Sequence, residues 1–205
     1  LLHTLLKRLG KGCAVIFTIG ILVYVSAAEN WPQWRGPHRD GSISVFDVPA
    51  SWPAGLTEQW KVEVGFGYAT PILVGDRVYV FARQGDDEVM LALDAGSGET
   101  LWRTSYDATF NMMPATSRHG PGPKSTPTYA DGRLFTLGIS GIVTAFDADT
   151  GRQLWQMPGG SVQPTYHTGQ SPFVDGDLMI LHVGGQDAGA LTAFEVATGD
   201  IRWSW

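Results

Sequence analysis

The sequence predicts an all-β chain of four-stranded antiparallel units that stand side by side like the blades of a propeller. One pattern, present three times, leads to this prediction: Ala, then Asp or Glu two residues later, then Ser or Thr followed by Gly, and Trp four residues after the Gly. The copies end about 50 residues apart, which is the length of one propeller blade. The positions that define them are Ala92, Asp94, Gly98, Trp102, Ala145, Asp147, Gly151, Trp155, Ala193, Glu195, Gly199 and Trp203.

Each copy of the pattern predicts a tight hairpin. The side chain of Asp94 can accept hydrogen bonds from the backbone N–H groups that follow it, which starts a turn. Gly98 supplies the positive φ that closes the hairpin as a type I turn with a bulge. Trp102 then stands at a fixed distance beyond the turn. We expect it to wedge between neighbouring blades, where its replacement by Ala would cost about 3–5 kcal/mol.

A second hairpin precedes each copy and completes the four strands. It begins with Thr or Ser followed by Pro, and its turn contains Gly and Asp. Turns of this composition between apolar runs predict hairpins, and Pro is tolerated at the start of a strand, where its missing N–H is least needed. We therefore expect three blades within residues 58–205, at about 65–107, 119–158 and 166–205.

The segment before the blades, residues 29–57, is rich in Trp, Pro and Gly and lacks the alternation of a strand. It predicts an ordered lead-in that packs its Trp residues against the propeller. The alternative is that Trp34, Arg35 and His38 line a ligand site.

Residues 59–64 resemble a lone outer strand in which Trp60 takes the part of Trp102. Such a strand would complete the last blade and leave no free sheet edge. Propellers have at least four blades, so we expect this chain to form an open arc of three blades and one closing strand. Further blades of the same protein would complete it.

Residues 1–28 have the composition of a targeting segment. A basic start is followed by an apolar run over residues 13–25 and by the small residues Ser26, Ala27 and Ala28. The pattern predicts a secretory signal peptide, and therefore an exported protein that is periplasmic or extracellular. The alternative is a short retained anchor, which would be the protein's contact with the membrane, although the run is shorter than the roughly 20 residues of a bilayer span.

The charge of the remaining chain limits the kinds of partner it can bind, and its cysteine content limits how it can be stabilised. Residues 1–28 hold three of the 14 Lys and Arg residues and none of the 20 Asp and Glu residues, so 11 basic and 20 acidic residues remain, a formal charge of −9. This acidity argues against nucleic acid as a partner. The single cysteine, Cys13, lies in the targeting segment, so an exported form would depend on core packing rather than disulfides.

The repeated pattern resembles the tryptophan-docking motif of the quinoprotein propellers, with Glu195 in place of Asp in the third copy. Residues 30–205 as a whole resemble the exported bacterial repeat proteins of the PQQ-binding-like β-propeller family, as do the segments Trp31–Pro37 and Gly120–Pro127. The resemblance implies a quinoprotein-like propeller. It leaves the function open, because the same fold serves quinone-dependent alcohol dehydrogenases, an outer-membrane assembly scaffold and sensor domains. The chain lacks a Trp-Asp dipeptide and in-phase Gly pairs, which argues against WD-type and kelch repeats.

The resemblance leaves two functions to weigh. The first is a non-catalytic binding or scaffold module, without a cofactor, whose partner is another protein or a small polar ligand. The second is an alcohol dehydrogenase that depends on PQQ and calcium in the full-length protein. That family uses a carboxylate base and, in many members, a disulfide of adjacent cysteines, which residues 29–205 cannot supply. No residue matches a catalytic motif, so we favour the binding module.

Residues on the connections between blades could form its ligand site. These connections bring together basic and aromatic side chains that would suit an acidic or sugar-like ligand; the alternative is that they are solvated loop residues. The candidates for this rim are Arg118, His119, Lys124, Tyr166 and His167.

Neither of two candidate metal sites is supported by the sequence. A zinc site at His119 and His167 lacks a third ligand at a sensible spacing. The acidic run at residues 86–88 lacks the alternating carboxylates of a calcium loop, and we expect it to be a solvated hairpin tip.

Overall fold

The computed structural model describes residues 29–44, 46–109, 112–161, 164–185 and 187–205. These residues form twelve strands in three four-stranded antiparallel sheets, each ordered as in the sequence. The first sheet contains β1 (Ile72–Val74), β2 (Arg77–Gln84), β3 (Asp87–Asp94) and β4 (Thr100–Asp107). The second contains β5 (Thr128–Ala130), β6 (Arg133–Leu137), β7 (Val143–Asp147) and β8 (Gln153–Met157). The third contains β9 (Phe173–Asp175), β10 (Leu178–Val183), β11 (Ala190–Glu195) and β12 (Ile201–Ser204), and a short 3₁₀ helix spans Pro114–His119.

The predicted all-β class and the four-stranded antiparallel units are therefore confirmed. The predicted signal peptide at residues 1–28 lies outside the described residues. Within the described part of the chain, no helix is both long and apolar enough to cross a bilayer.

The core lies between the sheets, because the middle strands bury both of their faces. Tyr79 and Phe81 of β2 point towards the second sheet and pack with Leu134 and Phe146. Val80 and Ala82, one residue out of phase with them, point the other way and pack in a cluster with Trp60 and Val64. Successive side chains of a strand alternate between its faces, so a strand buried on both sides reads as a nearly continuous apolar run.

The hairpin between the third and fourth strands follows the same backbone path in each sheet, although Glu195 of the third accepts from the side chains of Thr198 and Arg202. In the first, the Asp94 carboxylate accepts hydrogen bonds from the backbone N–H of Gly96 (3.0 Å) and Ser97 (2.8 Å). The Gly that follows has a positive φ of 75°, 72° and 80° at positions 98, 151 and 199. The strand register shifts by one residue just before each turn, between Ala92 and Leu93 in the first sheet, and at the matching positions of the others. Such a shift is a β-bulge.

A Trp from the preceding unit lies against each of these hairpins. The indole N–H of Trp60 donates to the carbonyl of Ala95 (3.0 Å), that of Trp102 to Ala148 (3.0 Å), and that of Trp155 to Val196 (3.1 Å). The same rings cover the turn glycines. A Cβ added to Gly98 would lie 2.7 Å from the Trp60 ring, and one added to Gly199 would lie 2.8 Å from the Trp155 ring.

The third sheet exposes side chains of its last two strands, β11 and β12. Leu191, Ile201 and Trp203 are 36%, 55% and 40% exposed, and Trp203 holds the position in β12 that Trp102 holds in β4. The described sheets do not close into a barrel.

The lead-in reaches the first strand of every sheet. Trp31 exchanges backbone hydrogen bonds with Leu73 of β1 (2.7 and 3.1 Å), and the carbonyl of Pro32 accepts from the N–H of Tyr129 in β5 (2.8 Å). Arg39 then donates to the carbonyl of Pro172 (3.2 Å), just before β9. We call residues 30–39 the strap, because they tie the three inner strands together.

Residues 59–64, for which the sequence predicts a lone closing strand, are not assigned as a strand. A strand is defined by hydrogen bonds to a neighbouring strand, and the described residues supply none that pairs with this segment. Trp60 still makes the contact with Ala95 that its position in the repeat suggests.

The contact between Trp102 and the second sheet can be tested by removing the ring. We expect Trp102→Ala to lower the free energy of unfolding by about 3–5 kcal/mol, because the substitution leaves a cavity between two sheets and removes a hydrogen bond. The measurement is chemical denaturation of the full-length protein. Trp52→Ala is the control, since Trp52 is 68% exposed, and it should cost less than about 1 kcal/mol. Equal effects of the two substitutions would contradict an inter-sheet role for Trp102.

The glycine beneath the ring can be tested with a matched pair. Gly98 and Gly132 have almost the same φ, 75° and 76°, but a Cβ would meet the Trp60 ring at Gly98 and nothing within 4 Å at Gly132. Both substitutions by Ala strain the backbone, by roughly 1 kcal/mol. We expect Gly98→Ala to cost at least about 1 kcal/mol more than Gly132→Ala, because only the first displaces an indole. Denaturation midpoints that agree for the two variants would show that the ring does not need a glycine.

Candidate functional site

The connections between sheets gather at one end of the molecule. In a four-stranded meander, the turn between the second and third strands lies at the same end as the connection from the fourth strand to the next sheet. The structure has this arrangement: Phe66 pairs with Arg83 at the end of β2, and Thr168 donates its hydroxyl hydrogen bond to the carbonyl of Gly138 beyond β6. We call this end the connection face. The Trp-covered hairpins lie at the opposite end.

A cleft of about 300 Å³ opens at the connection face. Its walls combine two cations, two aromatic rings and several hydroxyl and amide groups, and they contain no carboxylate. The lining residues are Trp34, Arg39, Tyr68, Thr70, Lys124, Thr126, Gly169, Gln170 and Ser171.

Arg39 reaches this cleft from the strap. Its guanidinium donates to the side-chain oxygen of Gln33 (3.0 Å) and to the carbonyl of Pro172 (3.2 Å), and it lies over the rings of Trp34 (5.8 Å) and Phe173 (5.3 Å). Burial lowers the pKa of Arg39, but an arginine stays charged at neutral pH. Both hydrogen-bond acceptors are neutral, so its positive charge is not compensated by them.

Lys124 supplies the second cation. Its ammonium group donates to the carbonyl of Tyr166 (2.9 Å), again a neutral acceptor. Partial burial, and secondly the charge of Lys124, lowers the pKa of the neighbouring His167, so this imidazole is neutral at neutral pH. Among the described residues, neither Arg39 nor Lys124 forms a salt bridge with a carboxylate.

The structure brings some of the predicted rim residues together. Lys124 lines the cleft, Tyr166 holds its ammonium group, and His167 lies beside it on a smaller adjoining cavity of about 160 Å³. His119 lies edge-on to Tyr68, with ring centroids 6.1 Å apart, so it touches a cleft residue without lining the cleft. Arg118 is exposed at the end of the 3₁₀ helix and is not among the lining residues.

Of the three lead-in residues considered as an alternative site, only Trp34 lines the cleft. Arg35 turns to the carbonyl of Asp40 (2.9 Å), and His38 is exposed. The lead-in residue that sequence reasoning missed is Arg39, because its position in the cleft depends on the path of the strap across the inner strands.

The Thr or Ser that precedes Pro in each blade also acts between sheets at this face. The backbone N–H of Thr70 donates to the hydroxyl of Thr126 (3.2 Å), and the N–H of Thr126 donates to the hydroxyl of Ser171 (3.0 Å). A hydroxyl that accepts one hydrogen bond keeps its own proton to donate. The cleft is therefore lined by further donors beside its two cations.

The described residues contain no group of three or more His, Cys, Asp and Glu side chains that could hold a metal ion. His167 and His182 share the smaller cavity, but two imidazoles without a third ligand are not a zinc site.

Comparison with known proteins identifies the family. A family profile described as outer membrane protein assembly factor BamB matches residues 39–205. The chain belongs to this family.

Members and relatives of the family carry different functional names. The assembly factor BamB of Burkholderia pseudomallei (strain K96243) is 27% identical over 97% of this chain and 56% of its own length. Polyvinylalcohol dehydrogenase of Sphingopyxis sp. (strain 113P3) is 25% identical over 88% of this chain and 29% of its own length. The crystal structure of quinohemoprotein alcohol dehydrogenase from Comamonas testosteroni superposes with a TM-score of 0.61 at 21% identity, over 88% of this chain and 27% of that one. This last likeness shows the shared propeller fold. The chain spans about a quarter to just over half of these proteins.

The sequence predicted that the acidic run at residues 86–88 is a solvated hairpin tip. This prediction is wrong for Glu88, which is fully buried. One carboxylate oxygen accepts from the backbone N–H of Ile139 (2.6 Å) in the second sheet, and the other accepts from the hydroxyl of Tyr106 (2.9 Å). Gly138 lies directly against the carboxylate and leaves no room for a Cβ. Burial raises the pKa of Glu88, although these two hydrogen bonds and the charge of Arg83 oppose the shift. Asp86 remains exposed.

The raised pKa of Glu88 predicts a specific pH dependence of stability. Below the ordinary carboxyl pKa of about 4.3 the group is neutral whether the chain is folded or unfolded, so it carries no ionisation penalty. As the pH rises through the higher folded pKa, the unfolded state loses its proton first and stability falls. We expect Glu88→Gln to remove this fall, because its amide oxygen still accepts from Ile139 and its NH₂ can donate to Tyr106.

The measurement is the free energy of unfolding of both forms across this pH range. The difference between them isolates Glu88 from Asp94 and Asp147, whose lowered pKa values act in the opposite direction. Glu88→Ala should cost about 2–4 kcal/mol, since it leaves two donors unpaired between the sheets. Parallel pH curves for the wild type and Glu88→Gln would refute the assignment.

Proposed function

We propose that this chain belongs to an exported propeller that acts by binding a partner at its connection face rather than by catalysis. The observation that carries the proposal is the pair Arg39 and Lys124, which line one cleft with only neutral hydrogen-bond acceptors. The whole chain is acidic, with a formal charge of −6, so a cleft of the opposite sign marks a local preference for anions. The partner is a small polar molecule, or an acidic group on another protein.

The composition of the cleft supports binding over catalysis. Its lining includes no carboxylate, histidine or cysteine, and these are the side chains that most often act as a general base or a nucleophile. The lining hydroxyls of Thr126 and Ser171 accept hydrogen bonds from backbone N–H groups, an arrangement that does not activate a hydroxyl for attack. His167, the nearest imidazole described, lies on the adjoining cavity.

The second candidate is a quinone-dependent dehydrogenase, and the names of several relatives favour it. The cations of the cleft would suit the carboxylates of PQQ. A calcium ion, however, needs six to eight oxygen ligands, and the described residues provide no cluster of acidic side chains for it. The described part of the site therefore does not fit the cofactor pair, and we derive no reaction step from it.

Two measurements on the full-length protein test the proposal. The first adds PQQ and calcium and follows quinone absorbance and dye-linked alcohol oxidation; we expect neither a bound quinone nor turnover. The second titrates citrate, a small multivalent anion, by calorimetry; we expect binding that Lys124→Gln weakens by about tenfold, because it removes one charge-assisted contact. Arg133→Gln is the control, since Arg133 lies in β6 and does not line the cleft. Turnover with PQQ, or the absence of citrate binding, would overturn the proposal.

A further inference from the structure

The side chains that line the cleft indicate the class of its ligand more specifically than the positive charge alone does. Trp34 and Tyr68 are 43% and 60% exposed, so both present ring surface at the cleft rather than burying it in the core. The donors between them are the hydroxyls of Thr126 and Ser171 and the amide of Gln170. An aromatic surface beside neutral hydrogen-bonding groups fits a ligand that has both C–H faces and hydroxyls.

We infer that the cleft binds an anionic sugar, a pyranose ring that carries a carboxylate or a phosphate, with Arg39 as the residue that selects the charge. The inference rests on the proposed binding function and names its ligand class. The sugar ring packs on Trp34 and Tyr68, its hydroxyls meet the hydroxyl and amide groups, and its anionic group lies between Arg39 and Lys124. A volume of about 300 Å³ is at the small end of ligand sites, which suits one or two sugar rings.

The strap makes Arg39 the specificity residue rather than a mobile surface cation. Its guanidinium is fixed by Gln33 and Pro172 and stacked on Trp34 and Phe173. A side chain held in this way loses little further rotamer entropy when it binds an anion. Nη1 of Arg39 donates both hydrogen bonds, to Gln33 and to Pro172. Nε and Nη2 of Arg39 have no acceptor among the described residues. These two nitrogens form the edge that can donate in a bidentate manner to a carboxylate or phosphate.

Four ligands, titrated into the full-length protein by calorimetry, distinguish the contribution of the anionic group to affinity from that of the sugar ring. D-Galacturonate and galactose 1-phosphate carry both features, galactose carries the ring alone, and acetate carries the charge alone. We expect at least one of the two anionic sugars to bind about tenfold or more tightly than both galactose and acetate. The better of the two identifies the anionic group.

The variants test Arg39 itself. Arg39→Gln should weaken the better sugar by about tenfold, because it removes a charge-assisted hydrogen bond. Arg152→Gln is the control, since Arg152 is exposed beside the hairpin turn at the opposite end of the second sheet, and it should change affinity by less than about twofold. Thermal unfolding of both variants shows whether the strap is intact. If Arg39→Gln does not fold, Tyr68→Leu, which removes a ring from the cleft without touching Arg39, should reduce sugar binding and leave acetate unaffected.

Several outcomes would overturn the inference. These are galactose binding as tightly as the anionic sugars, acetate binding as tightly as them, or an unchanged affinity in Arg39→Gln. Citrate binding without sugar preference would remove the inference and leave the proposed function standing. Failure of every anion to bind would remove both.

Discussion

The structure depends on one repeated contact between neighbouring units. The indole ring of a Trp in one unit covers the turn glycine of the next unit, and its N–H donates a hydrogen bond to a backbone carbonyl beside that glycine. Apolar packing between sheets is not directional, and by itself it would let neighbouring sheets slide. The hydrogen bonds from Trp102 and Trp155 fix the rotation of each sheet against the next, and Trp60 makes the same bond to the first sheet from the segment before it. The close approach of ring to glycine fixes their spacing. Because the contact recurs at the same position of each repeat, the sheets follow one another by a constant step, and an arc results.

This arrangement places the contacts between hairpins and Trp rings at one end of the strands and the proposed binding cleft at the other. The hairpins at one end must keep Asp, Gly and the neighbouring Trp in fixed geometry, so they have little freedom to vary. The connections at the other end are held by a different set of contacts, which includes the Glu88 carboxylate of the first sheet and the hydroxyls of Thr126 and Ser171. Side chains on the long connections can therefore vary without disturbing the contacts between Trp rings and hairpins. Lys124 and Tyr166 lie on two such connections.

The sequence was sufficient to predict the repeated strands and turns of this architecture. It was insufficient to predict the contacts between one unit and the next. Period, turn residues and strand alternation predicted three four-stranded sheets, because each of these signals is local. The burial of Glu88 could not be predicted, since two further acidic residues precede it and its partner Ile139 is about 50 residues away. Arg39 was missed for the same reason: only the path of the strap shows that it reaches Pro172. Lys124 was among the predicted rim residues because its connection was recognised, while Arg118 on the same connection lies outside the cleft.

The charge balance of the cleft also bears on why these cations are present. Burial lowers the pKa of Arg39, so its charged form loses hydration in the folded protein. The hydrogen bonds to the neutral oxygens of Gln33 and Pro172 offset only part of the lost hydration free energy, because a hydrogen bond to a carbonyl contributes less than one to a carboxylate. Trp31 and Pro32 tie the strap to the first two sheets, and Arg39 makes its contact with the third; a neutral donor could form the same hydrogen bond to Pro172 without a charge. The proposed anion would explain why this contact uses a charged side chain, because Arg39 and Lys124 line a cleft whose described lining has no carboxylate.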